Sequence, residues 1–255
     1  MTKALAAAGA DLNQATEYGW TPLLTATNNR HYQLATWLVE HGANVNLQNK
    51  GGWTPLYLAT DNRNIEGGDY PVPQPDMNHL EFIKVLLDHG ADPQFATDFG
   101  NTALSAAAGI GWVEGVTYEH SAAQNVEAVK MLLNLGLDAN SVNRDGRTPL
   151  MGAALKGRSD VVQLLVDHGA KLDTRDHGSR DTDTSVSKIA GHTWQALDYA
   201  DGLVRVGVQS AVTHPETAAL LRKLMMEKSL PVPPANRIVD SICIVEICKE
   251  RQSAP

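Results

Sequence analysis

Side chains able to ligate a metal or carry a proton gather in a few stretches of this chain. Glu66, Asp69, Tyr70, Asp76 and His79 fall in one, Trp112, Glu114, Tyr118, Glu119 and His120 in the next, and Arg205 and His214 in a third. Two carboxylates with two histidines can hold a divalent ion, or share the work of general acid and general base. That chemistry needs fixed geometry, which these spacings do not supply. No His-Glu-x-x-His helix, nucleophile elbow, glycine-rich phosphate loop or zinc-spaced cysteine pair occurs in the 255 residues. Polar surface loops pinned by aromatic rings have the same composition, so the sequence predicts no catalytic residue, no metal and no cofactor. The competing reading is a small-ligand or enzyme site among 64–79, 109–125 and 203–215. It requires a cleft walled by Tyr70, Trp112 and Tyr118 with converging carboxylates.

These stretches interrupt a repeating framework. One phrase occurs five times: Leu5-Ala6-Ala7-Ala8-Gly9-Ala10, Leu38-Val39-Glu40-His41-Gly42-Ala43, Leu87-Asp88-His89-Gly90-Ala91, Leu133-Asn134-Leu135-Gly136-Leu137 and Leu165-Val166-Asp167-His168-Gly169-Ala170. Between copies stands a second, Trp20-Thr21-Pro22-Leu23-Leu24, Trp53-Thr54-Pro55-Leu56-Tyr57, Asn101-Thr102-Ala103-Leu104-Ser105 and Arg147-Thr148-Pro149-Leu150-Met151. The threonine is suited to cap a helix N-terminus, and proline in the first turn forfeits no hydrogen bond. Each closing glycine can take the left-handed conformation that ends a helix, and Asn44, Asp92 and Asp138 then favour a turn. The unit is two short antiparallel helices and a hairpin. Alone it buries too little apolar surface to fold, so its stability must come from stacking.

Both phrases resemble the ankyrin repeat, and Gly9 to Gly42 and Gly136 to Gly169 each span its period of 33 residues. The resemblance implies an all-α ankyrin-repeat solenoid, a curved rod of stacked helix-turn-helix units with hairpin loops, of the long-insert kind common in bacteria. A partial repeat at 1–19 precedes repeats at about 20–51, 52–99, 100–145 and 146–190. A degenerate repeat at 191–230 starts its first helix at Gly191-His192-Thr193-Trp194, the whole forming one elongated domain from 1 to 230. Gly42 to Gly90 takes 48 residues and Gly90 to Gly136 takes 46, and the extra length falls between the two helices of a repeat. The fifth repeat carries a similar insertion between Leu203 and Glu216, and a longer hairpin around 177–185. In such a stack these insertions share one edge, opposite the hairpins, where neighbours would touch and add a second layer. Loops longer than roughly 12 residues are more often functional than ornamental, so this edge, with Tyr70, Asp76, His79, Trp112, Glu114, Tyr118, Glu119 and His120, is the leading candidate surface for binding a protein or a ligand.

The same resemblance places partner binding on a concave face of hairpin tips and first helices. The matching positions are Glu17, Tyr18 and Trp20; Lys50 and Trp53; Asp98, Phe99 and Asn101; Arg144, Asp145 and Arg147. Tyrosine, tryptophan and arginine bury large areas while keeping a polar handle, which suits them to hot spots. Trp20 and Trp53 share a repeat position, so stacking along the hairpin row is an equal account of them. His41, His89 and His168 recur near the ends of second helices, where a ring nitrogen can meet a carbonyl and a cation complements the helix dipole; they belong to the repeat rather than to a site. The function implied is a protein-interaction module or scaffold, not an enzyme, whose partner is another protein.

Composition bounds the rest. A net charge of −8 spread along the chain disfavours nucleic acid and anionic lipid. No run approaches the roughly 20 apolar residues that cross a bilayer, and Met1-Thr2-Lys3-Ala4-Leu5 is no signal peptide. A soluble, cytoplasmic protein is expected unless the chain is a fragment of an exported one. Thr2 to Ala8 reads as a second helix without its first, which predicts an N-terminal region of the same longer protein upstream of it, itself a candidate partner. The tail 231–255 opens with Pro231-Val232-Pro233-Pro234, and its β-branched run Ile238–Cys248 is expected to cap the last repeat as a strand. Cys243 and Cys248 stand five residues apart, beyond disulfide reach in either a strand or a helix, and are expected to be free thiols.

Overall fold

A computed structural model describes residues 1–60, 75–111, 120–178, 193–204 and 212–235. The helices are α1 (Thr2–Ala7), α2 (Pro22–Asn28), α3 (Tyr32–Glu40), α4 (Pro55–Thr60), α5 (His79–Asp88), α6 (Ala103–Ala108), α7 (Ala122–Asn134), α8 (Pro149–Leu155), α9 (Ser159–Asp167), α10 (Ala196–Ala200) and α11 (Pro215–Glu227). Among the described residues there is no strand, only one isolated bridge between Ala96 and Thr102. The fold is all-α.

Helix starts follow the threonine phrase. Thr21, Thr54, Thr102 and Thr148 each accept, through Oγ1, the backbone N–H three residues on, at 3.2, 3.1, 3.2 and 3.3 Å. This satisfies one of the N–H groups that a helix start leaves unpaired. The first helix of the degenerate repeat starts later than the phrase Gly191-His192-Thr193 indicates. Gln195 caps α10, with Asp198 accepting from its backbone N–H at 2.8 Å. The reason is register: Trp194 holds the place of Trp20 and Trp53, so the residue after it takes the capping position.

First helices are short, five to seven residues in α2, α4, α6, α8 and α10. Helices of this length are marginal in water, so burial must hold them. In α8 every residue from Pro149 to Leu155 is buried, and its small residues Gly152, Ala153 and Ala154 let neighbours approach on all sides. Second helices are longer and amphipathic. In α9, Val161, Val162, Leu165 and Val166 are buried at the i, i+1, i+4, i+5 spacing of one helix face.

The chain divides into two compact units, residues 1–107 with 116–137, and residues 108–115 with 138–255. In the first, α2 packs on α3 and α4, α4 on α5, α3 on α5, and α5 on α7. Its core holds Leu23, Leu24, Leu38, Leu56, Ile83 and Leu86, and Tyr32 stacks on Phe82 at 4.9 Å between centroids. Burial of side chains this size contributes about 1.5–3 kcal/mol each. In the second unit α8 packs on α9 and α10, and α11 on α9 and α10. Leu150, Leu165, Leu197, Tyr199, Leu221 and Met225 fill its core.

Candidate protein-interaction surface

Hairpins are built by one acceptor near the start of each turn. Thr16 Oγ1, Asn49 Oδ1, Thr97 Oγ1 and Asn143 Oδ1 accept the N–H four residues on, from Trp20, Trp53, Asn101 and Arg147, at 3.0–3.1 Å. Asp176 does the same for Trp194 at 2.8 Å, but across eighteen residues. The enlarged hairpin of the last repeat is thus closed at its base like the others. Residues 179–192 lie outside the described residues.

Successive hairpins are bonded tip to tip. In the first unit the Lys50 N–H donates to Tyr18 O at 3.0 Å, and the Asp98 N–H to Gly51 O at 2.9 Å. In the second, the His177 N–H donates to Asp145 O at 2.8 Å. Gly52 makes this approach possible: its φ is +74°, and a Cβ there would stand 2.7 Å from Asp98 N. A second ladder runs beneath, which the sequence reading missed. Asn46 donates through Nδ2 to Gly90 O at 2.9 Å and accepts at Oδ1 from the Asp92 N–H at 2.8 Å. Asn13 and Asn140 make the equivalent pairs to Gly42 and Asn44, and to Gly169 and Lys171. Each of these asparagines follows a closing glycine by four residues, the one signal that could have found them.

On this frame the expected partner-binding residues separate. Tyr18 and Phe99 project, 61% and 41% exposed, and Glu17, Lys50 and Asp98 are exposed beside them in the first unit. Lys50 Nζ lies 5.7 Å from the Tyr18 ring centroid. Trp20 and Trp53 meet edge to face at 6.1 Å and are half-buried, so each ring is mortar to the other. Asn101 is buried. In the second unit Arg144 is exposed, whereas Arg147 is drawn inward, 3.4 Å from Asp145 and close to Tyr199 and Asp176. Tyr199 donates its hydroxyl to Asp176 Oδ2 at 2.6 Å, and burial first, then the Asp176 charge, push the phenol pKa up.

The insert edge is internally bonded where it is described. Asp76 Oδ1 accepts from the Gln33 N–H at 3.0 Å, so the end of one insertion caps α3, whose own preceding residue His31 makes no side-chain cap. His79 and His120, ending two successive insertions, stack at 3.6 Å with 10° between planes, and both are buried. Burial lowers the His79 pKa from 6.5 to about 4, so its imidazole is neutral near pH 7. In the second unit His214 Nε2 lies 2.9 Å from Leu155 O, at the end of α8. Tyr70, Trp112, Glu114, Tyr118 and Glu119 lie outside the described residues, as do Glu66, Asp69, Arg205 and residues 236–255 with Cys243 and Cys248. Among the described residues, no three of His, Cys, Asp and Glu converge as metal ligands. His41, His89 and His168 each place Nδ1 2.7–2.8 Å from the carbonyl four residues back.

A family model of ankyrin repeats in three copies matches residues 1–70 and 76–176, and a single ankyrin repeat matches 51–98. The chain belongs to the ankyrin-repeat family. Similar curated proteins include mouse ankyrin repeat and SOCS box protein 16, 31% identical over 113 residues, 44% of this chain and 21% of that protein. Arabidopsis thaliana serine/threonine-protein kinase 12 is 44% identical over 52 residues, 20% of this chain and 11% of the kinase. An ankyrin repeat, SAM and basic leucine zipper domain-containing protein of Dasypus novemcinctus is 33% identical over 93 residues, 36% of this chain and 18% of that protein. The ankyrin chain thus spans about a fifth or less of these relatives. They come from animals and a plant, which lends no support to the expectation of a bacterial type. No helix among the described residues is long and apolar enough to cross a membrane.

Proposed function

We propose that this ankyrin chain is a protein-interaction module that engages its partner through the hairpin row of its first unit. The observation that carries the reading is the display of Tyr18 and Phe99, two exposed aromatic rings on tips tied together by backbone hydrogen bonds. Rings held by a rigid frame lose little entropy on binding, and large amphipathic side chains supply most interface energy. Asp76, His79 and His120 at the insert edge are engaged in packing and capping, which favours the hairpins over that edge. The relatives join their ankyrin repeats to other modules, by their names a SOCS box, a SAM domain or a kinase, and an adaptor role fits this company.

The test is affinity capture with mass spectrometry, followed by titration of the captured partner against Tyr18→Ala with Phe99→Ala and, separately, Asp76→Ala. At a hot spot the aromatic pair loses at least about 2 kcal/mol, roughly thirtyfold in Kd, while the insert-edge variant binds normally. The reverse pattern would move the interface to the insert edge.

A further inference from the structure

Every second helix carries a leucine four residues before its closing glycine. Leu38, Leu86, Leu132 and Leu165 are there 0% exposed, whereas Leu5 of α1 is 55% exposed. Each of α3, α5, α7, α9 and α11 buries four or five residues, and α1 buries none. The repeat that follows α1 is open on the same side. Pro22 and Leu34 are half-buried and Thr25 is exposed, while Pro55, Phe82 and Leu58 at the matching positions are buried. The difference is the neighbour: α4 has α2 packed against it and α5 has α3, but α2 is preceded only by a second helix, α1. Where α1, α2 and α3 meet lies a cleft of about 370 Å³, lined among others by Thr2, Trp20, Pro22, Thr25, Leu34 and Leu38, with no Asp, Glu, Lys or Arg on its wall. The end of a solenoid needs a polar outer face, and this one shows apolar side chains instead.

The chain itself shows what fits such a face. Helices α2, α4, α6 and α8 are six or seven residues long and carry no charge, which suits an uncharged wall. A first helix joins its second through a short turn, Asn29-Arg30-His31 in one repeat and Lys156-Gly157-Arg158 in another. A free peptide this short is not helical in water and would have to be ordered on binding, whereas one held by such a turn arrives at high effective concentration. The occupant is therefore covalently joined to α1.

We propose that the cleft seats a short uncharged helix, the first helix of the repeat that α1 completes, carried by the N-terminal region of the same longer protein. It covers Leu5 on one side and Pro22, Thr25 and Leu34 on the other, and extends the stack by one unit. This docking surface is independent of the hairpin-row reading of function.

The endogenous protein, captured with an antibody to this chain and sequenced by mass spectrometry, should carry ahead of Thr2 an uncharged helical stretch that opens on a Thr, Ser or Asp cap. A protein that starts at Met1, or an upstream stretch charged throughout, would overturn the proposal. Seating is tested on the full chain with residues 147–161 placed directly before Thr2 in place of Met1, the register that superposes Gly169 on Gly9. The urea midpoint should rise by about 0.5 M or more. Tryptophan emission should shift to shorter wavelength because Trp20 lines the cleft, and a scrambled graft should change neither reading. Thr25→Arg, an exposed change, should cancel the gain while altering the ungrafted chain little. No gain from the graft, or a gain that survives Thr25→Arg, would refute the seat. Dimerisation of the ungrafted chain that Thr25→Arg abolishes would give the cleft to a second copy and overturn the proposal in favour of self-association.

Discussion

Replacing Gly52 by alanine tests whether the hairpins are held by close backbone approach or only by the helices behind them. Two costs add. Alanine at φ +74° pays about 1–2 kcal/mol for the left-handed conformation. Its Cβ would also stand 2.7 Å from Asp98 N and 3.0 Å from the Thr97 carbonyl carbon, both backbone atoms that no rotamer can move. Relief requires the next hairpin to shift, which lengthens or breaks the 2.9 Å bond from the Asp98 N–H to Gly51 O and costs about 1 kcal/mol more. Gly42→Ala is the control, since φ there is +94° but nothing lies within 4 Å of the added carbon. Both substitutions restrict the unfolded chain equally, so that contribution cancels. Gly52→Ala should lose about 3 kcal/mol and Gly42→Ala about half of that. Urea unfolding followed by tryptophan fluorescence measures both, because Trp20 and Trp53 sit at the hairpin bases. Losses equal within about 0.5 kcal/mol would show that the tip-to-tip contact contributes nothing.

Three further outcomes are expected. Asp76→Ala removes the acceptor for the Gln33 N–H and should cost about 1 kcal/mol, with Asp76→Asn milder; no loss in urea unfolding would mean the insertion does not cap α3. His79 has a folded pKa near 4 against 6.5 when unfolded, so the unfolded chain takes up the proton first as pH falls. The associated stability is complete above about pH 6.5 and declines by roughly 3 kcal/mol towards pH 4. His79→Phe should flatten that dependence in unfolding midpoints, and an unchanged slope would assign it to other groups. Tyr199→Phe removes the 2.6 Å donor from the buried Asp176 carboxylate and should lower stability by about 2 kcal/mol, and a neutral result in thermal unfolding would show that the pair is not coupled.

Local chemistry was legible in the chain wherever it acts within a few residues. The Thr-Pro phrase marked caps because the threonine oxygen meets an N–H three residues away, and the closing glycines marked helix ends because only glycine enters the left-handed region freely. The histidines before those glycines were recognisable as repeat residues for the same reason, their partner carbonyls being four residues back. The degenerate repeat was displaced by two residues, because Thr193 mimics a cap while the hairpin bond from the Trp194 N–H to Asp176 assigns Trp194 to the position before it.

The residue pattern by itself determined that the chain is an all-α stack of repeats and where its helices begin and end, because those signals are periodic and short in range. Only tertiary structure decided what the individual side chains are for. Asp76 reaches α3 across 43 residues, Asn46 clasps Gly90 across 44, and His79 meets His120 through the packing of two repeats. Arg147 and Asn101 share the position of two tryptophans, yet one, half-buried, turns to Asp145, Tyr199 and Asp176 and the other is buried at its hairpin base. A repeat dictates position, but whether a side chain at that position faces solvent, a neighbour or a partner depends on what the adjacent repeat places against it.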